Sequence, residues 1–193
     1  IRSKVGDPMS ITLNGTTGIT TPDLTSAAPM DVGGSAVLTA ASSLAAANLT
    51  GTVASGRMPA GSVLQVVSFG TSTQTSTSSS SFVASAITVS ITPSSATSKV
   101  WIVASTNGYA PSGQDLYYTL FRNNSVELSG SVYGFGIHWI AGDRGVIPQT
   151  INHLDSPNTT SATSYTVYFK AAGGPVNIPN NGVSTITAME IAG

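Results

Sequence analysis

The chain has 193 residues, a formal net charge of −1 and 8% charged side chains, about a third of the roughly 25% typical of soluble domains. Seven scattered cations exclude a nucleic-acid partner, because binding to a phosphate backbone depends on clustered Lys and Arg. Without cysteine, the chain cannot build zinc fingers, iron–sulfur clusters, thiol catalysis or disulfides. No apolar stretch approaches the ~18 residues that span a bilayer, so a membrane-embedded segment is excluded as well.

The composition favours β structure over helix. Exposed helix faces usually carry Lys, Glu and Arg, whereas the Thr, Val, Ile and aromatic residues of this chain suit a pleated, half-buried surface. A monomer with so few charges is poorly protected against edge-to-edge association, so we expect a homo-oligomer with an all-β fold. Because the chain starts at Ile1 without a leader-like segment, we expect it to be part of a longer protein.

Residues 1–60 contain no Trp, Tyr or Phe and differ sharply in composition from the rest. A segment without bulky side chains cannot offset the entropy of ordering by itself, so it is either a flexible linker or ordered by winding with its own copies. We favour the second interpretation, an elongated intertwined shaft, in which a short helix is predicted over 35–49 with Ser35 as its cap. The aliphatic residues predicted to face the axis of a trimer are Leu44, Leu49, Val53 and Met58.

Residues 61–193 are predicted to form a β-sandwich or jelly-roll-like head. Ile87, Val89 and Ile91 alternate with hydroxyl residues, which is the pattern of a half-buried strand. The tract 71–81 is predicted as a loop or a polar edge strand, and a hairpin is predicted around Asn123-Asn124 because Asn tolerates positive φ. The short strands, whose number and spacing indicate a sandwich, are predicted over 62–69, 87–92, 100–104, 117–122, 126–128, 136–140, 150–154, 165–170 and 185–191.

The titratable residues offer little chemistry. His138 and His153 lack metal-ligand spacing, so we expect both to be satisfied or exposed strand residues, and we expect no metal and no cofactor. Glycoside cleavage needs two facing carboxylates, but only Asp143, beside Arg144 in a predicted loop, is free of an obvious turn or edge role. A Gly-x-Ser-x-Gly elbow is also lacking in the sequence. We therefore expect no catalytic residues and no enzyme activity.

Aromatic residues concentrate between positions 109 and 139, beside Gly, Ser and Asn. Rigid rings next to small hydrogen-bonding residues make a good recognition surface, and they suit the faces of sugars. Tyr117, Tyr118 and Trp139 lie on predicted strands, where at least half should be core. The segments 109–114 and 141–146 are the preferred exposed sites, and the predicted receptor-binding residues are Tyr109, Gln114, Tyr133, Trp139, Asp143 and Arg144.

Several segments carry a family resemblance. They are 61–67 (Gly-Ser-Val-Leu-Gln-Val-Val), the strand and turn around 87–99, 154–157 (Leu-Asp-Ser-Pro) with Thr159-Thr160-Ser161 and Tyr165 following, and 184–193 (Ser-Thr-Ile-Thr-Ala-Met-Glu-Ile-Ala-Gly). In this order they resemble the C-terminal portion of tailed-phage tail fibre proteins, including those of cyanophages, and 44–58 is similar to their shaft-to-head transitions. The resemblance implies a parallel homotrimer on an extracellular virion tail fibre, with a head that binds a host polysaccharide or outer-membrane protein.

Three functions are compatible with the sequence. The first is a non-enzymatic attachment fibre tip that recognises a host cell-surface glycan or outer-membrane receptor through its head loops. The second is a structural tail or baseplate connector whose head docks onto another tail protein of the virion. The third is a polysaccharide depolymerase, which would depend on Asp143.

Overall fold

The computed structural model describes residues 55–139 and 145–193, together with the backbone of two short strands, β1 (Asp31–Val32) and β2 (Ser35–Ala36). These two strands pair with each other in antiparallel orientation. They belong to the first of two units, residues 1–51, and the other described residues belong to the second unit, residues 52–193. Since Ser35 and Ala36 are extended, the predicted helix does not begin at Ser35. The predictions that lie outside the described residues are the remainder of that helix, Leu44, Leu49 and Val53.

The second unit is all-β, preceded by a single 3-10 turn at Ser55–Arg57. Its strands are β3 (Val63–Thr71), β4 (Thr75–Thr77), β5 (Val83–Ile91), β6 (Lys99–Ala110), β7 (Asp115–Arg122), β8 (Val126–Glu127), β9 (Gly136–Trp139), β10 (Gly145–Asp155), β11 (Thr163–Ala172), β12 (Val176–Ile178) and β13 (Ser184–Ile191). Within the described residues, no helix has the length and apolar character to cross a bilayer.

The strands form two antiparallel sheets. In the larger sheet the order is β3-β13-β6-β12-β4, and β10 pairs with the free side of β6 along almost its whole length. In the smaller sheet the order is β5-β11-β7, and both β8 and β9 pair with β7. The predicted all-β class is therefore confirmed, with the sheets arranged as in a sandwich. Pro148 lies in β10, which within the described residues pairs with β6 alone and is an edge strand there.

The core lies between the two sheets and is built from alternate residues of their strands. Ile87, Val89 and Ile91 are buried in β5 as the alternating pattern predicts. Ile102 in β6 and Phe169 in β11 are also fully buried, so both sheets contribute. Burial of this apolar surface is the main force that holds the two layers together.

The hairpin between β7 and β8 is confirmed. Asn123 and Asn124 have φ values of 50° and 54°, as expected for residues that tolerate the left-handed region. In the tract 71–81 the structure supports the edge-strand alternative, since β4 lies at the end of the larger sheet. The strands β6 and β10 are longer than predicted, because both continue through Asn, Gly and Pro positions that resemble turn signals.

Of the two alternatives expected for His138, exposure is not observed. The register of β9 places it opposite Leu116, on the core face of the smaller sheet, where its side chain is 2% exposed. Neither ring nitrogen of His138 has a hydrogen-bond partner among the described residues. Burial lowers the pKa of this imidazole, because the charged form is the more costly one to remove from water.

The larger sheet has two distinct ends. The chain reaches β3 through Gly61, whose N–H donates to the Ala192 carbonyl near the end of the chain. We refer to this as the Gly61 end. The strand β6 starts there and runs for 12 residues to Ala110, so its far end, the Tyr109 end, lies about 36 Å away.

Candidate functional site

The first candidate surface is a groove at the Tyr109 end, on the outer face of the larger sheet. Four residues of neighbouring strands stand in register across this face. In order from β4 through β12 and β6 to β10 they are Ser76, Asn177, Tyr109 and Val146. Tyr109 and Val146 come from the two predicted exposed segments, so the structure brings one residue of each segment together.

Side-chain amides surround the tyrosine. The groove has a volume of about 490 Å³ and is lined by Gln74, Tyr109, Val146, Asn177, Asn180 and Asn181. The Gln74 amide nitrogen donates to Asn177 Oδ1 at 3.3 Å and to Asn180 Oδ1 at 3.5 Å. None of these lining residues is charged. We call this surface the amide groove.

The loop that carries Asn180 and Asn181 is held by Asn107. The backbone N–H of Asn180 donates to both the carbonyl and the side-chain oxygen of Asn107, and Asn107 Nδ2 donates back to the Asn180 carbonyl at 2.8 Å. These bonds use only the backbone groups of Asn180. Its side-chain oxygen accepts a hydrogen bond from Gln74 and from no other described residue. The amides of the groove are thus preorganised, which lowers the entropy lost when a ligand binds.

The described lining of the groove, one aromatic ring and several amides, suits a neutral, hydroxyl-rich ligand. Amides both donate and accept hydrogen bonds, as sugar hydroxyls do. A tyrosine ring gives contact area to the apolar face of a sugar at low entropic cost. The polar groups among its described lining residues are amides and a phenol.

The second candidate surface is a cleft on the outer face of the smaller sheet. It has a volume of about 540 Å³ and is lined by Ser80, Ser81, Phe82, Phe121, Glu127, Gly130, Ser131, Val132 and Lys170. We call it the Lys170 cleft. Its floor is aromatic, and the rings contact one another. Tyr168 stacks on Phe121 with 4.0 Å between ring centroids, and Phe82 meets Phe121 edge-on at 6.4 Å.

Lys170 is held among rings. It lies in β11 opposite Tyr117 of β7, and its Nζ is 4.6 Å from the centre of the Phe82 ring and 5.0 Å from that of Tyr117. Tyr117 in turn stacks on Tyr133, with centroids 6.0 Å apart. The ammonium donates one hydrogen bond, of 2.5 Å, to the Val132 carbonyl. Lys170 thus connects the sheet to the loop between β8 and β9.

Glu127 faces the same cleft but is occupied by its own loop. Its carboxylate accepts hydrogen bonds from the N–H and hydroxyl of Ser129, from the Gly130 N–H and from the Thr119 hydroxyl. Burial by itself raises the pKa of Glu127, but these hydrogen bonds outweigh burial and lower the pKa below its ordinary value. The carboxylate therefore stays ionised and orders the loop.

The other described carboxylates are engaged in a similar way. Asp115 accepts from the Tyr117 hydroxyl, and Asp155 accepts from Arg122 and Tyr165. Glu190 accepts from Gln65 and from the N–H and hydroxyl of Ser94. Within residues 55–139 and 145–193, no group of three or more His, Asp or Glu side chains is arranged to hold a metal ion.

The predicted binding residues fall in different places. Tyr109 lies in the amide groove, and Tyr133 stacks on Tyr117 beside the Lys170 cleft. Gln114 instead packs against Gly173 and Gly174, and its buried Oε1 has no partner among the described residues. Of Trp139 only the backbone in β9 is described, and Asp143 and Arg144 lie outside the described residues.

Several residues of the two surfaces were not singled out in the sequence. Gln74, Asn177 and Asn180 occur in Asn-, Ser- and Thr-rich stretches whose composition is typical of any loop. Asn180-Asn181 beside Pro179 marks a turn, but nothing in the sequence pairs that turn with Gln74. Phe82 and Lys170 are almost ninety positions apart and come together only through the pairing of β5 with β11.

A third surface is apolar and lies at the Gly61 end of the larger sheet, again on its outer face. Val66, Met189, Trp101 and Leu154 stand in register across β3, β13, β6 and β10. Trp101 is 45% exposed, Leu154 52% and Val66 58%. Val63 and Ile191 extend the patch towards Gly61. We call these six residues the apolar row. The predicted axis residue Met58 lies elsewhere, in a small cleft with Ser94 and Gly193.

The chain fits no protein-family model, and no curated protein is detectably similar to it. The groove, the cleft and the apolar row therefore carry the functional proposal.

Proposed function

We propose that residues 61–193 are the non-enzymatic attachment head of a virion tail fibre and that the head binds a glycan of the host cell surface in the amide groove. The observation that carries this proposal is the groove itself, in which Tyr109 stands among four amide side chains, two of them on the loop that Asn107 holds by hydrogen bonds. Neutral polar groups with a single ring match a sugar better than they match an apolar ligand or an ion.

The position of the groove supports this role. Residues 1–60 join the head at the Gly61 end, whereas the groove is at the Tyr109 end of the same 12-residue strand, about 36 Å away. A ligand bound there is remote from the connection to the rest of the fibre. The phenol ring and amides are few, so we expect each groove to bind weakly and to depend on several copies acting together.

The apolar row supports a homotrimer, which is part of the proposal. Exposed apolar residues that are contiguous across four strands are typical of a protein interface. The net charge of −1 per chain means that copies repel one another little. The same row also favours the alternative function, a connector that docks onto another virion protein, because a foreign protein could cover it equally well.

Binding to immobilised lipopolysaccharides and capsular polysaccharides tests the proposal. We expect the whole chain to bind at least one neutral glycan, and Tyr109→Ala or Gln74→Ala to weaken that binding by roughly tenfold, the loss of one good contact. Ser105→Ala, on the outer face of the same strand midway to the other end, is the matched control and should bind normally. Equal binding by Tyr109→Ala and the control would contradict a role for the groove.

The depolymerase alternative is tested on the same glycans. It predicts the release of reducing ends, lost in Asp143→Ala, whereas an attachment head releases none. A protein that binds no glycan but is captured by another tail protein through Trp101 and Leu154 would instead favour the connector.

A further inference from the structure

We propose that the Lys170 cleft is a second binding site and that it takes a carboxylate-bearing sugar of an acidic glycan. This inference rests on the proposed function in one respect, that the head is a glycan-binding module. It concerns a different surface from the amide groove and a different class of sugar. The cleft lies on the smaller sheet, whereas the groove lies on the larger one.

The Lys170 ammonium has no anionic partner among the described residues. Among the described residues the only ion pair is that of Arg122 with Asp155, so no carboxylate lies within pairing distance of the Lys170 ammonium. Its three N–H groups have one hydrogen-bond acceptor there, the Val132 carbonyl, and two ring faces. A half-buried ammonium that lacks an anion gains more from an incoming carboxylate than an exposed lysine does, because part of its hydration is already lost.

Glu127 does not supply that anion. Its two oxygens accept four hydrogen bonds from Thr119, Ser129 and Gly130, which fixes it to the β8–β9 loop. The two charged groups of the cleft therefore do not pair with each other. The Glu127 carboxylate is hydrogen-bonded to its own loop, and the Lys170 ammonium faces the Phe82 and Tyr117 rings. An anionic ligand meets the ammonium without displacing a protein ion pair.

The rings and hydroxyls of the cleft suit the remainder of a sugar. Phe82 and Phe121 offer apolar faces for sugar C–H groups, and Ser80, Ser81 and Ser131 offer exposed hydroxyls at the rim. The volume of about 540 Å³ lies within the usual range of small-ligand sites. A small inorganic anion has no apolar face for the two phenylalanines to contact, so the aromatic floor favours an acidic sugar over a free ion.

Calorimetry on the whole chain tests the site through the ligand. The probes are short oligomers of galacturonate and of mannuronate, each compared with its methyl ester, which keeps the sugar and removes the charge. We expect at least one free acid to bind roughly tenfold more tightly than its ester and its binding to weaken as salt is raised. Absence of binding by both free acids, or equal binding of acid and ester, would overturn the proposal.

Variants then locate the binding. Lys170→Met keeps the stem and removes the charge, so we expect the acid to bind no better than the ester, whereas Lys170→Arg should retain the difference. Lys99→Met, an exposed lysine at the Gly61 end, is the control for loss of one positive charge. If Lys99→Met weakens binding as much as Lys170→Met, the site is not the cleft.

The two proposals fail separately. Tyr109→Ala removes the aromatic ring of the amide groove. It should leave the difference in affinity between the free acid and its ester unchanged. Thermal unfolding of Lys170→Met shows whether the head still folds, and the acid–ester comparison on the unmodified chain stands whatever that variant does. Loss of the difference in Tyr109→Ala but not in Lys170→Met would assign the acidic sugar to the groove and overturn the cleft.

Discussion

At Gly108 the described core leaves no room for a side chain. A methyl group at this position of β6 would collide with the Tyr118 hydroxyl and the Leu116 side chain, which approach from the opposite sheet, and would touch Ile178 as well. Glycine therefore lets the two sheets come together at the Tyr109 end. Because the blocking atoms belong to fully buried side chains, they have little room to move.

We predict that Gly108→Ala lowers the free energy of unfolding by about 2–3 kcal/mol through overpacking. Denaturant unfolding measures the change. Gly70→Ala is the matched control, since a methyl group there has its nearest neighbour at 3.7 Å, an ordinary contact. Equal stabilities of the two variants would show that the core tolerates the added carbon.

Glu190 gives a pH dependence that can be assigned to one carboxylate. Burial by itself raises the pKa of this side chain, but hydrogen bonds from Gln65 and Ser94 outweigh burial and lower the pKa below its ordinary 4.5. The folded chain therefore binds a proton here less readily than the unfolded chain does. Stability from Glu190 is complete above the unfolded value and is lost as the pH falls through the folded one.

We predict that Glu190→Gln removes this part of the acid sensitivity. Thermal unfolding temperatures of the variant and the unmodified chain should differ most near neutral pH and converge as the pH falls below about 4. Ser94 donates to the same carboxylate. Ser94→Ala should therefore also reduce the stability that the chain loses between neutral pH and acid pH. Parallel curves for Glu190→Gln and the unmodified chain across this range would contradict the assignment.

At the scale of elements, one ion pair connects the two sheets near the Gly61 end. Arg122 lies at the end of β7 in the smaller sheet, and its Nη1 is 2.8 and 2.9 Å from the two oxygens of Asp155, at the end of β10 in the larger sheet. Tyr165 of β11 donates a third hydrogen bond, of 2.8 Å, to the same carboxylate. Burial, and then this hydrogen bond, raise the pKa of the Tyr165 hydroxyl, so it remains a donor.

We predict that Arg122→Met destabilises the head by about 3 kcal/mol, because it leaves a buried carboxylate without its cation. Arg57→Met, on an exposed arginine of the 3-10 turn, is the control for charge and should change stability little. Since the Asp155 side chain is only 8% exposed, the loss should persist at high salt. A loss that disappears with added salt would indicate a surface contact instead.

Most of the strands were predictable from the sequence, and the reason is local. Alternation in β5 and the Asn123-Asn124 turn are short-range patterns that the structure keeps. The strand β12 was not predicted, because three residues between Gly173-Gly174-Pro175 and Pro179 are too few to show a period. The burial of His138 was not predictable for a different reason, since only the register of β9 against β7 decides which face it occupies.

The binding surfaces were predictable only in part. The segments that contain Tyr109 and Val146 could be proposed as exposed because each lies next to loop-forming residues. The sequence did not show that the two residues pair across β6 and β10. The amides of the groove and the lysine of the cleft come from strands distant in sequence, so no window of the sequence contains either surface. A single sequence cannot show such long-range neighbours.

At the scale of the whole molecule, the outer face of the larger sheet changes character along its length. It is apolar around Trp101, carries hydroxyls such as Ser105 midway, and has amides around Tyr109. A face that served one partner throughout would have no reason to vary in this way. The gradient is consistent with association of copies at one end and ligand binding at the other.

We predict that the double variant Trp101→Ser, Leu154→Ser lowers the oligomeric state of the whole chain, since it removes most of the exposed apolar area of the row. Size-exclusion chromatography with light scattering measures the mass. Tyr109→Ser, at the other end of the same face, should leave the mass unchanged. A monomer in the unmodified chain, or an unchanged oligomer in the double variant, would rule out this face as the interface.

The proline of β10 has a consequence for how copies can meet. A residue without an N–H cannot continue a backbone ladder, so Pro148 interrupts any strand that would add to the open side of β10. Growth of an endless, fibril-like stack of sheets is thereby blocked at this border, even though the chain has little charge to prevent it. At this border, contacts with another copy of the chain would therefore have to come from side chains rather than from a continued backbone ladder.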